Sequence, residues 1–243
     1  QGRVSTGQTC GNILAAVAPF AIEAGLVQAT DPVTTVHVKM LNTGGICEML
    51  VETPAGQVNY AGDARIDGVP GTAAPIICNY LDVAGSTCGA LLPTGNVIDY
   101  VEGYALTCID NGMPVVLLRA SDFGLSGTES VAELTENTAL KHKIEQIRLH
   151  IGPKMNLGDV ITQTVPKMCL ISPPKEDGLL HTRMFIPHVV HDAIGVLAAI
   201  SVATAALVPG SIAEGIAQLP VPNAGLYSIE HPSGECSVQL DYT

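Results

Sequence analysis

The sequence contains no tryptophan, only 3 phenylalanines, and few basic residues: 11 Lys and Arg against 23 Asp and Glu, a net charge of −12. Without large aromatics, a core must be assembled from Val, Ile, Leu and Ala. The few cations form no basic stripe, so a phosphate-backbone partner would be repelled and nucleic acid is not expected. Acidity leaves room for an anionic small molecule, because helix N-termini and one or two arginines create a local positive pocket. Paired cysteine spacings are also missing. The seven cysteines, at 10, 47, 78, 88, 108, 169 and 236, suggest neither a disulfide framework nor a zinc knuckle. Free thiols without a secretory signal point to a reducing, cytoplasmic compartment. Nor is there a membrane span: residues 193–212 are uncharged, but Pro209 and Gly210 cut their helical part to about 15 residues, too short to cross a bilayer.

What is present is 243 residues, 47% of them hydrophobic, with 25 Gly and 16 Pro in numerous short apolar runs. That suits one large or two small α+β domains with mostly antiparallel sheets. Residues 33–40 alternate, with Val36, Val38 and Met40 against Thr35, His37 and Lys39, and the turn Asn42-Thr43-Gly44-Gly45 leads into 46–52, which predicts a hairpin. Short strands are expected over 97–110, 115–118, 156–164, 165–171 and 180–186, and a last hairpin over 227–231 and 236–242. Residues 129–150 read as a polar, solvated helix with Ile144, Ile147 and Ile151 on one stripe. Two further helices, 13–25 and 194–208, are apolar nearly all round, which predicts burial on every side. Pro19 is expected to kink the first and Gly25 to stop it.

The chain is organised around Gly7-Gln8-Thr9-Cys10-Gly11-Asn12, set directly before the first apolar helix. A cysteine among turn formers at a helix mouth faces unsatisfied N–H groups, which favour its thiolate; the same groups hold carboxylates. The alternative is a small buried cysteine preceding a core helix. Residues 10–17 can be laid on 193–200, each running into Leu-Ala-Ala followed by a β-branched residue. With strands around both, this weak repeat suggests two similar halves, each a sheet wrapped around a central helix, with the two helix mouths facing a cleft suited to a di- or tricarboxylate.

Several motifs then resemble a known family. Cys10-Gly-Asn-Ile-Leu-Ala-Ala-Val-Ala-Pro-Phe-Ala-Ile, Tyr60-Ala-Gly-Asp-Ala-Arg-Ile-Asp-Gly-Val-Pro-Gly, Cys88-Gly-Ala-Leu-Leu-Pro-Thr-Gly-Asn, Cys108-Ile-Asp-Asn-Gly-Met-Pro, Met155-Asn-Leu-Gly-Asp-Val and His231-Pro-Ser-Gly-Glu are similar to the PrpF-like family of 2-methylaconitate and methylitaconate isomerases, in its 4-oxalomesaconate tautomerase branch. The resemblance covers essentially the whole chain. It implies a diaminopimelate epimerase-like fold with pseudo-symmetric halves at 1–122 and 123–243. It also implies proton transfer on an unsaturated polycarboxylate without metal or organic cofactor, in aromatic catabolism through gallate or protocatechuate. Epimerases of this fold use two opposed cysteines; here the second position is Ala193, so a 1,3-proton shift or tautomerisation is expected rather than racemisation. The family's catalytic lysine lies upstream of the cysteine motif, and no lysine here matches it. We therefore expect a sequence truncated at both ends, with open sheet edges prone to pairing, a homodimer among the assemblies they allow. An inactive fragment that only binds polycarboxylates stands as the non-enzymatic alternative.

With the resemblance, Cys10 is the expected proton-transfer group. Gly11 and Asn12, and Ile194 and Gly195, are expected to offer N–H groups to carboxylates. Asn111 and Asn156 match substrate-contacting asparagines of the fold. Arg183 is either a bidentate carboxylate partner or a surface arginine. His188 and His191 flank the second mouth, either as acid/base groups or as imidazoles satisfied by nearby backbone.

Overall fold

The structure, a computed structural model, describes residues 9–220 and 225–241. Gly7 and Gln8 of the turn before Cys10, the extended segment expected over 1–8, and Tyr242 at the expected end of the last strand lie outside the described residues. The chain folds as two compact units, Gln1–Val83 and Ala84–Thr243.

In the first unit, helices α1 (Gly11–Ala15) and α2 (Val17–Glu23) precede strands β1 (Val33–Lys39), β2 (Ile46–Glu52) and β3 (Ile76–Leu81), which form an antiparallel sheet in the order β1-β2-β3. The expected hairpin forms in register from Val33 opposite Glu52 to Lys39 opposite Ile46. Its alternation puts Val36, Cys47, Met49 and Val51 in one core with Ala18 and Ile22. The helical segment breaks at Ala16 rather than bending at Pro19. Pro19 has no N–H to give the Ala15 carbonyl, and the Ala16 N–H falls back on Ile13 O at 3.2 Å, a tighter turn. Gly25 stops α2 as expected: at φ 69° it lets Leu26 N–H reach Ala21 O at 2.9 Å while its own N–H meets Ile22 O at 3.0 Å. Burial on every side does not occur. Ile13 is 71% and Phe20 65% exposed, because a three-stranded sheet beneath α2 covers one face, that of Ala18, Pro19 and Ile22.

The second unit holds β4 (Asp99–Val101), β5 (Tyr104–Asp110), β6 (Pro114–Arg119), α3 (Val131–Glu136), α4 (Thr138–Ile151), β7 (Lys167–Ser172), β8 (Leu180–Phe185), α5 (Val196–Leu207), β9 (Leu226–His231) and β10 (Gly234–Gln239). These strands form one sheet in the order β10-β9-β8-β7-β6-β5-β4, antiparallel except for the parallel pairs β6/β7 and β8/β9. The expected division at 122/123 therefore falls inside a continuous sheet: β6 and β7, on either side of it, pair from Val115 beside Lys167 to Arg119 beside Ile171. No strand forms over 156–164, and β7 starts at Lys167.

The sheet carries helices on both faces. Leu140, Ile144, Ile147 and Ile151 of α4 pack on Val116, Leu118, Met168 and Leu170. On the opposite face, Ser201 of α5 donates to Met113 O at 2.7 Å and accepts from the Asn111 N–H at 3.1 Å. Covered on both sides, β7 and β8 are buried throughout, which explains why neither alternates in sequence. The polar segment 129–150 is two helices rather than one. Ser130 opens α3 in a capping box with Glu133, and Asn137 opens α4 by accepting the Leu140 N–H at 3.0 Å. Nor is it simply solvated, since Arg148 is 0% exposed.

Backbone tolerance at Gly127 is a testable part of this packing. It sits at φ 86°, and an added Cβ would lie 2.3 Å from both the Cβ and Oγ of Ser172. Gly127→Ala is expected to lower stability by about 1 to 3 kcal/mol through clash and left-handed strain, measured by urea denaturation; an unchanged midpoint would refute the close approach.

Candidate active site

In the first unit, Cys10 is the N-cap of α1, exposed, at φ −116° and ψ 106°, with Leu14 N–H donating to its carbonyl at 3.0 Å. No side chain caps α1, so the first-turn donors of Gly11 and Asn12 have no competing side chain. With five residues, α1 adds little dipole; what it offers is local N–H groups. The entry to Cys10 is fixed by Thr9, whose hydroxyl accepts from Asn42 Nδ2 at 3.1 Å, tying it to the hairpin turn. Nearby is Tyr80: burial, first, and then the thiols of Cys78, Cys47 and Cys10 push its hydroxyl up. Beside α1 and α2 an open depression of about 330 Å³ is lined by Asn12, Phe20, Glu23, Tyr60 and Ile76 among others. Tyr60 Oη donates to Glu23 Oε1 at 3.0 Å there. The first unit thus combines an exposed thiol, backbone donors that no side chain caps among the described residues, and a concave surface at Asn12.

In the second unit, α5 starts with Gly195 as N-cap, again without a side-chain cap. Ala193, which aligns with Cys10 in the repeat, lies two residues before that cap, so the repeat places the two helix starts out of step. Ile194 is 7% exposed, and an added Cβ at Gly195 would meet nothing within 4 Å, so the mouth is open at Gly195. His191 is half-buried and supports this turn: its Nδ1 accepts the Ala193 N–H at 2.9 Å and its backbone N–H donates to Met184 O at 2.8 Å. Burial, then Lys167, hold its imidazole below the usual range, with Asp192 opposing. This is the backbone-satisfied alternative for His191. His188 is exposed, 3.8 Å from Glu145 Oε2.

The two asparagines are spent differently. Asn111 docks on α5, its Nδ2 donating to Thr204 Oγ1 at 2.8 Å. Asn156 is exposed in the left-handed region, φ 61°, and its Nδ2 donates to Cys88 O at 3.0 Å. Arg183 is neither a surface arginine nor open to a bidentate carboxylate. It is 4% exposed, with Nε on Glu129 O at 2.7 Å, Nη1 on Thr182 O at 2.9 Å, and Nη1 2.6 Å from His181 Nε2. Its strand is covered on both faces, which a lone strand's sequence does not report.

That cluster carries a pH signature. Arg183 has only donors, so His181 Nε2 must accept and the imidazole is neutral, leaving Nδ1 buried without a partner among the described residues. Burial, then the Arg183 guanidinium, push His181 down to about 4. A histidine depressed in the folded state costs stability as the unfolded chain protonates first, from the ordinary value near 6.5 down through about 4. Stability is expected to fall by up to about 3 kcal/mol over that window. Thermal melts at pH 7 and pH 5 on the protein and on His181→Gln check this; equal pH slopes would refute it.

Three buried residues were not singled out in the sequence. Asp110 is 0% exposed; its Oδ2 accepts Thr87 and Cys88 N–H groups at 2.8 and 2.7 Å while Oδ1 has no partner among the described residues, and burial raises its carboxyl above the usual range. Arg148 Nη1 donates to Val160 O, Gln163 O and Val165 O, fixing the loop that enters β7. Lys167 is 6% exposed, and burial, then Arg148, push its amine down to about 8. The signal for Lys167 was a lysine set between Val165-Pro166 and Met168-Cys169 in an apolar strand.

Among the described residues no group of three or more His, Cys, Asp or Glu side chains has metal-binding geometry, and no helix is long and apolar enough to cross a membrane.

Comparison with known proteins gives a consistent picture. The family model described as PrpF protein matches residues 1–243. A Pseudomonas putida protein named 4-oxalomesaconate tautomerase is 55% identical over 99% of this chain and 66% of its own length. A Novosphingobium protein named (4E)-oxalomesaconate Delta-isomerase is 54% identical over 99% of this chain and 68% of its own. The chain thus spans about two thirds of the length of these curated relatives. The crystal structure of a methylitaconate-delta-isomerase superposes with a TM-score of 0.87 at 29% identity, covering 98% of this chain and 67% of that one. The fold is accordingly the diaminopimelate epimerase-like α+β class.

Proposed function

The chain belongs to the PrpF family, and from that premise we propose that it is a cofactor-independent isomerase that moves a proton between positions of an unsaturated polycarboxylate, 4-oxalomesaconate first among them. The observation that carries the reading is the high identity, along nearly the whole chain, to proteins named for 4-oxalomesaconate. Relatives named for methylitaconate and methylaconitate are more distant, at 29% and 31% identity. The setting proposed is aromatic catabolism in the cytoplasm.

The chemistry asks for little. A C–H proton α to a ketone and vinylogous to carboxylates is acidic, because the electron pair left behind spreads onto the carbonyl oxygen as an enolate. Cys10 is the proposed proton carrier at that step, being a free, exposed thiol at the entry to α1. The N–H groups of Gly11 and Asn12 are proposed to hold a substrate oxygen, uncapped as they are. In the second unit Ile194 and Gly195 are proposed as carboxylate donors on the same ground. Asn111 and Asn156 remain in the proposal only through atoms not engaged in the bonds above. Arg183 is left out of it. A homodimer is also proposed, supported by the edges of β1 and β3, which have no partner strand among the described residues.

The test is the rate at which the protein consumes 4-oxalomesaconate, followed by ultraviolet absorbance, beside methylitaconate and 2-methylaconitate. A kcat/KM at least about tenfold higher for 4-oxalomesaconate is expected, the discrimination a fitted pocket gives. A preference for either branched substrate would overturn the assignment.

A further inference from the structure

Lys167 stands out in the second unit as a buried cation with no counter-charge. It opens β7 at 6% exposure, and its ammonium has neither an ion pair nor a hydrogen bond among the described residues. The charged groups that bear on it are themselves basic: Arg148 from α4, and His191 from the segment before α5. Arg148 lends it no acceptor, because both oxygens of Glu145 are taken by Arg148 Nε and Nη2 at 2.7 and 2.8 Å. With its amine at about 8, Lys167 is mostly protonated at neutral pH. A side chain only 6% exposed that carries an ammonium without a partner among the described residues places a charge where an anion from outside the chain can meet it.

The strand register says where that anion would sit. Met168 and Leu170 pack with α4, so alternation turns Lys167 and Cys169 to the other face. Lys167 lies beside Val115, and Val115 opposite Ile109, on the face of Thr107, whose Oγ1 accepts the Ile212 N–H just past α5. Along the strands, Ser201 in the second turn of α5 is bonded at the start of β6, and Ile212 O beyond its far end accepts from Arg119 at the end of β6. The first turn of α5 therefore lies at the end of the sheet where β7 begins and Lys167 stands. His191 belongs to that end as well: its Nδ1 accepts the Ala193 N–H, and the charge of Lys167 helps hold its imidazole below the usual range. There α5 is uncapped and the space before Gly195 is open.

We propose that Lys167 is the counter-ion for a carboxylate held at the N-terminus of α5, and that it selects substrates bearing that additional carboxylate. The proposal rests on the polycarboxylate reading above and adds a binding residue to it.

Calorimetric titration of the full chain with tricarballylate, a saturated tricarboxylate that cannot tautomerise, tests it in the unaltered protein and in Lys167→Met. The expected result is at least about a tenfold loss of affinity in the variant, the scale of a charge-assisted pair, with an equal or higher Tm; a merely structural lysine would lower Tm and leave affinity alone. A second measurement needs no variant: the Lys167 side-chain resonance, titrated by NMR, should have a midpoint near 8 that rises above about 9 when tricarballylate supplies the opposite charge. Equal affinities, or a midpoint that tricarballylate does not move, would overturn the assignment of Lys167 alone. An unaltered protein that takes no tricarballylate would overturn it together with the polycarboxylate reading.

Discussion

Replacing Cys10 by alanine is expected to lower kcat for 4-oxalomesaconate by about 10²- to 10⁴-fold, the usual contribution of a positioned proton carrier. Stability should move by less than about 0.5 kcal/mol, because the side chain is exposed and caps nothing. The separation of the two effects is the point of the experiment. Cys10→Ser should fall nearly as far as alanine: a hydroxyl keeps the hydrogen-bonding shape but gives up its proton far less readily than a thiol. Substrate affinity should change little in either variant if the N–H groups of Gly11 and Asn12 hold the substrate oxygen, since backbone donors survive the substitution. Stopped kinetics with unchanged KM would place Cys10 at the proton. Full activity in Cys10→Ala would remove it from the mechanism.

The largest loss of stability is expected at Arg148. It is 0% exposed, doubly bonded to Glu145, and gathers the carbonyls of Val160, Gln163 and Val165 on one nitrogen. Arg148→Met leaves a carboxylate and three carbonyls without their donor, a cost of about 3 to 5 kcal/mol for breaking a buried pair. Lysine should not rescue it, because a single ammonium cannot reproduce a planar fork aimed at four groups. Equilibrium urea unfolding measures the difference, and a loss below about 1 kcal/mol would contradict it. The contrast with Lys167→Met is instructive: both are buried cations near the start of β7, one saturated with acceptors and one with none.

Local patterns were legible and long-range ones were not. The hairpin over 33–52 could be read because its side chains alternate and its turn is Gly-rich, both consequences of neighbours in sequence. Gly25 could be read as a helix stop for the same reason. The division at 122/123 could not, since the parallel pairing of β6 with β7 joins segments separated by two helices. The exposure of Ile13 and Phe20 was hidden as well: periodicity reports what a helix carries, whereas coverage depends on how much sheet lies under it. Arg183 reads as a carboxylate partner or a surface residue until β8 is found covered on both faces with His181 and the Glu129 carbonyl waiting for it. Lys167 is the converse case, an amine set between Val165-Pro166 and Met168-Cys169 at the start of an apolar strand. Cys10 was legible as the residue at a helix entry because its turn formers and the helix are contiguous in sequence, and the structure puts it at that entry, exposed.

The central claim, proton transfer between positions of one polycarboxylate without cofactor, is tested most directly by proton NMR in deuterated water. The chelator-treated protein is mixed with 4-oxalomesaconate and the reacting positions are followed. The account predicts turnover, with deuterium entering the position that receives the proton and the rate falling in Cys10→Ala. Intact 4-oxalomesaconate with no exchange, in protein that is folded by its thermal melt, would contradict it.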